Sequence, residues 1–164
     1  MKIPSHTVLS DYVSPLGRVI LAALDDHLVG VWFECQAHLP DLSRCASAPD
    51  HPVLQQAAAE LAEYFAGQRR SFDVSLAQSA GTPFQQAVWQ ALLAIPSGST
   101  CSYGELARRI GKPAAVRAVG AAVGRNPLSI IVPCHRVVGA DGRLTGYAGG
   151  LQRKTALLQL EDAI

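Results

Sequence analysis

A thiol, an imidazole and a guanidinium follow one another at Cys134, His135 and Arg136, directly after Pro133 in the stretch IIVPCHRVV. The thiolate is the nucleophilic form of cysteine, and nearby cations lower the pKa of a thiol whereas apolar surroundings raise it. This stretch combines both settings, because Ile and Val flank the three polar side chains. Cys134 is therefore either an inert core cysteine or a nucleophile held in a dry pocket.

The composition is that of a globular protein. The chain has 164 residues, of which 49% are hydrophobic and 16% charged, enough for one sizeable core or two small ones. The N-terminus lacks an apolar export signal, and no run approaches the roughly 18 apolar residues of a membrane span. We therefore expect a cytoplasmic protein with no membrane partner.

The four cysteines are interpreted as reduced thiols, since no export signal precedes them. Cys35, His38, Cys45 and His51 raise the alternative of a zinc site. Their spacing is irregular and does not match a compact zinc-binding motif, so we expect no metal.

Charge divides the chain into two unlike halves. Residues 1–81 carry 5 Lys/Arg against 9 Asp/Glu, a net charge of −4, whereas residues 82–164 carry 9 against 4, a net charge of +5. A basic half suggests an anionic partner such as nucleic acid. An uneven but merely solvated surface explains the charge equally well.

The first half has the pattern of strands with one helix. Residues 6–34 alternate in hydrophobicity and turn twice, which predicts a three-stranded β-meander. Residues 36–51 predict a loop, and Pro52 opens a helix with apolar residues at helical spacing. Residues 71–76 predict one more strand, and residues 77–82 a linker.

The second half has the pattern of helices. Capping boxes at Thr82/Gln85 and Ser102/Glu105 open two of them, Pro113 opens a third, and the last is LQRKTALLQLE near the C-terminus. The second and third helices, joined by a short turn at Gly111, have the outline of a helix-turn-helix.

The third helix has an unusually small surface around the single long side chain of Arg117. Its small residues are Ala114, Ala115, Ala118, Gly120, Ala121, Ala122 and Gly124. Such a surface permits close approach to a groove of DNA, and it equally permits tight packing within the protein's own domain.

Several ordered motifs identify a family. PCHRV at residues 133–137 is preceded by RAVG and RNP and followed by LTGYAGGLQRK, while TPFQQAVW, IPSG and SYGELA stand earlier in the same half. From about Thr82 to Glu161 the chain resembles the O6-alkylguanine-DNA alkyltransferases. The first half is similar to that family only in outline.

The resemblance implies an α+β fold of two domains. Residues 1–78 would form a strand-rich α/β domain of the ribonuclease H-like type, and residues 79–164 a mainly helical winged helix-turn-helix domain. The implied activity is DNA repair by irreversible, single-turnover transfer of an alkyl group from O6 of guanine to a cysteine of the protein. The implied partner is double-stranded DNA containing O6-alkylguanine, bound through the minor groove by a monomer that needs no cofactor. Action on O4-methylthymine and cooperative binding are left open.

The resemblance assigns the chemistry to Cys134, His135, Glu161 and Tyr103. Cys134 is the acceptor, and His135 takes its proton through a water, since neighbouring side chains on an extended segment point to opposite faces. Glu161 orients the imidazole, and Tyr103 turns the nucleotide and donates a hydrogen bond to the base.

Further roles follow for DNA binding and for the substrate pocket. Arg117 would fill the stack left by an extruded nucleotide, and Asn126 would tie the helix-turn-helix to the active-site segment. The DNA-binding set is Arg117, Ala118, Ala115, Gly120, Arg125 and Asn126. The pocket set is Val137, Tyr147, Ala148 and Ser129, of which Ala148 and Ser129 replace serine and proline found in some relatives.

Two rival functions are weighed against alkyl transfer. A non-catalytic DNA-binding protein, such as a transcription factor or an alkyl-lesion binder, would explain the helix-turn-helix, but such lesion binders lack the acceptor cysteine. A cysteine hydrolase needs its imidazole delivered from elsewhere in the fold together with an oxyanion hole, and the sequence offers no sign of either.

Overall fold

The first half is a small sheet covered by one helix. The computed structural model describes residues 1–77 and 80–164. Strands β1 (Val8–Ser14), β2 (Gly17–Leu24) and β3 (His27–Phe33) form the predicted antiparallel meander, which is confirmed. The segment predicted as a loop contains a two-residue strand, β4 (Ala46–Ser47), that pairs parallel with β1. The strand order is therefore β3-β2-β1-β4.

Helix α1 (Pro52–Phe65) begins where predicted and packs on this sheet. The ring of His51 caps it by accepting a hydrogen bond from Val53 N–H. The strand predicted for residues 71–76 is wrong, because only Leu76 pairs with β3, in a single bridge to Leu28. The N–H groups of residues 73 and 74, which lie just before this bridge, donate instead to the carboxylate of Glu60.

The second half is mainly helical, as predicted. Its elements are α2 (Pro83–Leu93), β5 (Cys101–Ser102), α3 (Tyr103–Arg109), α4 (Val116–Gly124), β6 (Val137–Val138) and α5 (Leu151–Leu160), with β5 and β6 paired in parallel. The Thr82/Gln85 capping box is present with both of its hydrogen bonds. At α3 only half of the predicted box forms, since the Glu105 side chain bonds Arg109 at 2.6 Å.

Helices α3 and α4 pack together as a helix-turn-helix. Gly111 between them has φ +73°, a left-handed conformation that glycine adopts without steric cost. Helix α4 begins at Val116, three residues later than predicted from Pro113. The helix begins later because Ala115 N–H donates to the carbonyl of Lys112, which closes a separate turn before α4.

The free edge of the sheet binds the chain that leads into the PCHR motif. Val31 in β3 donates its N–H to the carbonyl of Pro127 at 2.9 Å and accepts from Ser129 N–H at 3.0 Å. The two halves therefore share backbone hydrogen bonds close to the candidate site. The predicted domain boundary, between residues 78 and 79, lies outside the described residues. Among the described residues, none of the helices combines the length and the hydrophobicity that a membrane span requires.

Candidate active site

The PCHR motif forms a tight turn. Cys134–Arg136 is one turn of 3₁₀-helix that follows Pro133, so the prediction of an extended segment is wrong. Neighbouring side chains in a 3₁₀ turn diverge by about 120°, since three residues complete a turn. Cys134 accordingly lines a cavity while His135 points to the carboxylate of Glu161 behind it.

Asn126 holds the chain just before this turn. Its side chain donates to the carbonyl of Val132 at 2.8 Å and accepts from Leu128 N–H at 3.0 Å. Between those residues Ile130 has φ +72°, a conformation that costs a β-branched residue about 1–3 kcal/mol. The two hydrogen bonds of the buried amide stabilise this loop and thereby fix the position of Cys134.

Cys134, His135 and Glu161 lie together and are buried, with exposed fractions of 5%, 0% and 3%. His135 Nε2 is 2.8 Å from Glu161 Oε1. His135 Nδ1 is buried and has no hydrogen-bond partner within residues 1–77 and 80–164. The imidazole is thus anchored through one nitrogen, and the other remains available for a proton.

The carboxylate of Glu161 receives four hydrogen bonds. Besides His135, Tyr64 O–H donates to Oε1 at 2.7 Å, and Arg136 donates to both oxygens at 2.9 Å. Burial alone would raise the pKa of Glu161, but the hydrogen bonds of His135 and Arg136, with the guanidinium charge of Arg136, lower it to about 2. Glu161 is therefore ionised at neutral pH. It directly follows α5 as the C-cap of that helix.

Burial sets the protonation state of His135, and the hydrogen bond to Glu161 sets which of its nitrogens carries the proton. Burial, the largest influence, lowers the imidazole pKa, and the charges of Arg136 and Lys154 lower it further, although Glu161 opposes them. His135 is then neutral near pH 7. Its Nε2–H donates to the carboxylate, which leaves the lone pair on Nδ1 as a base.

Cys134 is a protonated thiol at rest. Burial raises its pKa above the ordinary value, while the Asn126 amide, the Lys154 ammonium and the backbone N–H groups of residues 134 and 135 partly offset this rise. A thiol in this environment needs a base before it can act as a nucleophile.

Lys154 is fully buried in α5 and joins three separate carbonyls. Its Nζ donates to Val137 at 2.6 Å, Thr145 at 2.8 Å and Gly146 at 3.2 Å. Burial lowers the pKa of Lys154 to about 8, so the ammonium form with its three donors still predominates at pH 7. Lys154 therefore ties the loop before α5 to the strand that follows the PCHR turn.

Cys134 is at the wall of a cavity of about 260 Å³. This is just below the roughly 300–1,000 Å³ range of pockets for drug-sized ligands, so it suits a group smaller than a drug-sized molecule. A larger groove, of about 620 Å³, lies between Trp32 and Trp89, and Cys134 is not among its lining residues. The smaller cavity is lined by Ala37, His38, Tyr103, Gly120, Val123, Gly124, Cys134, Gly146, Tyr147 and Ala148.

Two residues predicted for the pocket lie outside its walls. Ser129 is buried against the first half of the chain, and its hydroxyl bonds Gln36 at 3.3 Å. Val137 is fully buried, and its carbonyl accepts from Lys154. Tyr147 and Ala148 do line the cavity, where Ala148 accepts a hydrogen bond from Ala37 N–H.

The residues predicted to bind DNA divide between surface and core. Arg117 and Ala118 are exposed on α4, Arg125 is exposed just after it, and Ala115 is half-buried. Gly120 lies three residues beyond Arg117, on the same helical face, and lines the cavity. Asn126, in contrast, is buried in the protein.

Sequence reasoning missed four contributors to this site. Tyr64, Lys154 and the loop residues Ala37 and His38 reach it only through the tertiary fold. Arg136 belongs to the motif, but its contacts with Glu161 and with the carbonyl of Ile95 carried no sequence signal.

The four cysteines are free. Among the residues that the structure describes, no group of three or more His, Cys, Asp or Glu side chains is placed to hold a metal ion.

Comparison with known proteins covers nearly the whole chain. Residues 8–78 match the family model described as 6-O-methylguanine DNA methyltransferase, ribonuclease-like domain, and residues 83–163 match that of its DNA binding domain. A methylated-DNA–protein-cysteine methyltransferase of Mycobacterium bovis is 52% identical over 150 residues, which are 92% of this chain and 89% of the relative. One of Methanosarcina acetivorans is 48% identical over 155 residues, 93% and 96% of the two chains.

A solved structure of Mycobacterium tuberculosis OGT in complex with DNA superposes with a TM-score of 0.90 at 47% identity, covering 95% of this chain and 93% of that one. The agreement extends across both halves of the molecule. This chain belongs to the 6-O-methylguanine DNA methyltransferase family.

Proposed function

We propose that this protein repairs alkylated DNA by direct reversal, moving a methyl group from O6 of guanine to its own Cys134. The observation that carries the proposal is a buried thiol on the wall of a small cavity, backed by a neutral imidazole and an ionised carboxylate. The proposal agrees with the names of the relatives, which are methylated-DNA–protein-cysteine methyltransferases.

The transfer balances with groups of this chain and one water. The thiol proton of Cys134 passes through a water to Nδ1 of His135, and Glu161 stabilises the imidazolium that forms. The thiolate attacks the methyl carbon, so that a sulfur–carbon bond forms while the carbon–O6 bond breaks. The electron pair of that bond stays with the base, which becomes guanine by taking up one proton, while the His135 imidazolium gives up the proton that came from the thiol, so that no net proton is consumed.

Tyr103 and the backbone of Ala148 would stabilise the departing oxygen. Both line the cavity with Cys134, and the Tyr103 hydroxyl makes only a long, 3.4 Å hydrogen bond to the carbonyl of Thr145. That hydroxyl can therefore turn to a bound base. Hydrogen bonds aimed at a developing charge act strongly where water is excluded.

Double-stranded DNA would bind through α4. The face of α4 that carries Arg117 continues through Gly120 and Gly124 to the cavity, so a nucleotide extruded beside Arg117 faces the entrance. Extrusion costs a few kcal/mol of stacking, which a side chain inserted into the vacated stack offsets. The small side chains of α4 allow its backbone to approach the narrow minor groove closely.

The reaction would occur once per molecule. The product is a thioether, and the described residues around Cys134 include no group that hydrolyses one. The proposed nucleophile, relay and cavity require no residue from a second copy of the chain, so the reaction as proposed needs only a monomer.

The test is mass spectrometry of the intact protein and its peptides after incubation with a duplex containing one O6-methylguanine. We expect a gain of one methyl group on Cys134 and restored guanine in the DNA, whereas Cys134→Ala should bind the duplex without gaining mass. Transfer to Cys134→Ala would refute the acceptor assignment. Binding by the native protein without any gain of mass would indicate a lesion-binding protein instead.

A further inference from the structure

The phenol of Tyr64, in the first half of the chain, contacts the proton relay formed by Cys134, His135 and Glu161 in the second half. Tyr64 is near the end of α1, and its hydroxyl donates to Oε1 of Glu161 at 2.7 Å across 97 residues of sequence. Oε1 is the same oxygen that His135 contacts at 2.8 Å. Both side chains are buried, Tyr64 with 2% and Glu161 with 3% exposed.

The orientation of this phenol is fixed by its surroundings. The ring of Tyr64 packs at 5.5 Å from the ring of Phe72 and edge-on at 5.3 Å from that of Phe65. Since the ring cannot swing away without disturbing the aromatic cluster, the hydroxyl stays on Glu161. Burial, followed by the Glu161 charge, raises the pKa of Tyr64, so the hydroxyl keeps its proton and always acts as the donor.

We infer that Tyr64 is a positioning residue for methyl transfer, which holds Glu161 in place and competes with His135 for the same carboxylate oxygen. The inference rests on the proposed function for its consequence in catalysis. A donor on Oε1 neutralises part of the carboxylate charge, so the carboxylate stabilises a protonated imidazole less strongly. Tyr64 thereby keeps His135 neutral and ready to accept the thiol proton.

Few other ionisable groups lie near His135. Helix α2, which packs against the PCHR turn, has no ionisable side chain. Among the residues that the structure describes, the other ionisable groups around the relay are Cys134 and Arg136 on the turn, Lys154 in α5, and Tyr147. The substitution Tyr64→Phe changes none of these groups and keeps the aromatic ring.

The sign of the expected effect follows from this geometry. Without the Tyr64 hydroxyl, the Glu161 carboxylate stabilises a protonated His135 more strongly, which raises the imidazole pKa. Because only the neutral imidazole can take the thiol proton, the transfer rate of Tyr64→Phe should begin to fall at higher pH than that of the native protein. The fall of the rate at low pH is the acid limb of the pH profile. We expect its midpoint to rise by about 0.5 pH unit, which is a threefold change in the proton-dissociation constant of His135.

The first measurement is the single-turnover rate of methyl transfer from duplex DNA between about pH 5 and pH 8. Tyr12→Phe is the matched control, because Tyr12 belongs to the same domain and stacks on Phe65 without contacting Glu161. The acid limb of Tyr12→Phe should coincide with that of the native protein. An acid limb of Tyr64→Phe that also coincides with it would overturn the inference.

A second measurement does not depend on activity. The ¹⁵N shifts of His135 in the unreacted protein report its pKa and tautomer by NMR, and we expect Tyr64→Phe to raise that pKa. If the native protein fails to methylate Cys134, the proposed function fails while this titration still tests the contact. If Tyr64→Phe does not fold, 3-fluorotyrosine can replace Tyr64, because its hydroxyl is a stronger donor and its ring has nearly the same shape. This replacement should lower the pKa of His135. An unchanged His135 pKa would overturn the inference.

Discussion

Replacing Glu161 by glutamine should strongly destabilise the protein at neutral pH. The four donors on the carboxylate come from Tyr64, His135 and Arg136, and the amide of Glu161→Gln would present N–H groups of its own to some of them. The guanidinium of Arg136, 6% exposed, would lose its only close counter-charge among the described residues. Breaking a buried ion pair on one side costs about 3–5 kcal/mol.

The pKa of Glu161 gives an independent magnitude. The pKa falls from its ordinary value of 4.5 to about 2 on folding, and this difference corresponds to about 3 kcal/mol. A carboxyl group whose pKa is lower in the folded state stabilises the fold at pH values above its unfolded-state pKa. This stabilisation is lost as the pH falls through its folded-state pKa. The difference in unfolding free energy between the native protein and Glu161→Gln should therefore shrink by about 3 kcal/mol between pH 5 and pH 2.

Urea denaturation followed by tryptophan fluorescence measures this difference at each pH. The control is Glu63→Gln, which removes a carboxylate that pairs with Arg69 at 2.8 Å but is 46% exposed. An exposed pair of this kind contributes about 0–1 kcal/mol. If Glu161→Gln cost no more than Glu63→Gln at pH 7, or if its cost were the same at pH 3, the account of a buried, fully bonded carboxylate would be refuted.

Three further substitutions test the rest of the site. Lys154→Met removes the donor to three carbonyls, so the unfolding free energy should fall by about 1–3 kcal/mol in urea denaturation. Asn126→Ala removes two buried hydrogen bonds that hold the turn at Ile130, and calorimetry should show a lower Tm with a loss of about 2–4 kcal/mol. Arg117→Ala should slow methyl transfer from duplex DNA by roughly tenfold, equivalent to about 1.4 kcal/mol, while transfer from the free base changes little; equal slowing of both would contradict its role in extrusion.

Short-range sequence patterns predicted most of the secondary structure. Alternating hydrophobicity gave the meander of β1 to β3, and the Thr82/Gln85 capping box gave the start of α2. These elements depend on neighbours within a few residues, so their signals are local. The strand expected at residues 71–76 failed because a distant carboxylate, Glu60, takes the backbone donors that a strand would have used.

The motif PCHRV and its companions likewise led from sequence alone to the family and to Cys134, His135 and Glu161. The pairing of His135 with Glu161 was expected from that resemblance, and the structure places them 2.8 Å apart. The positions of Ser129 and Val137 were not predictable, because the side to which a buried residue points depends on how the PCHR turn meets the sheet and α5.

The sequence by itself determined the helices, the meander and the family, and it led to Cys134 as the proposed acceptor, because each depends on residue types and short spacings. Only the tertiary structure decided that Tyr64 reaches Glu161, that Lys154 bonds three carbonyls, and that the 37–38 loop lines the cavity. The physical reason is that these contacts join elements up to 97 residues apart. Their geometry is set by the packing of two domains along the edge of β3, for which no local pattern in the chain exists.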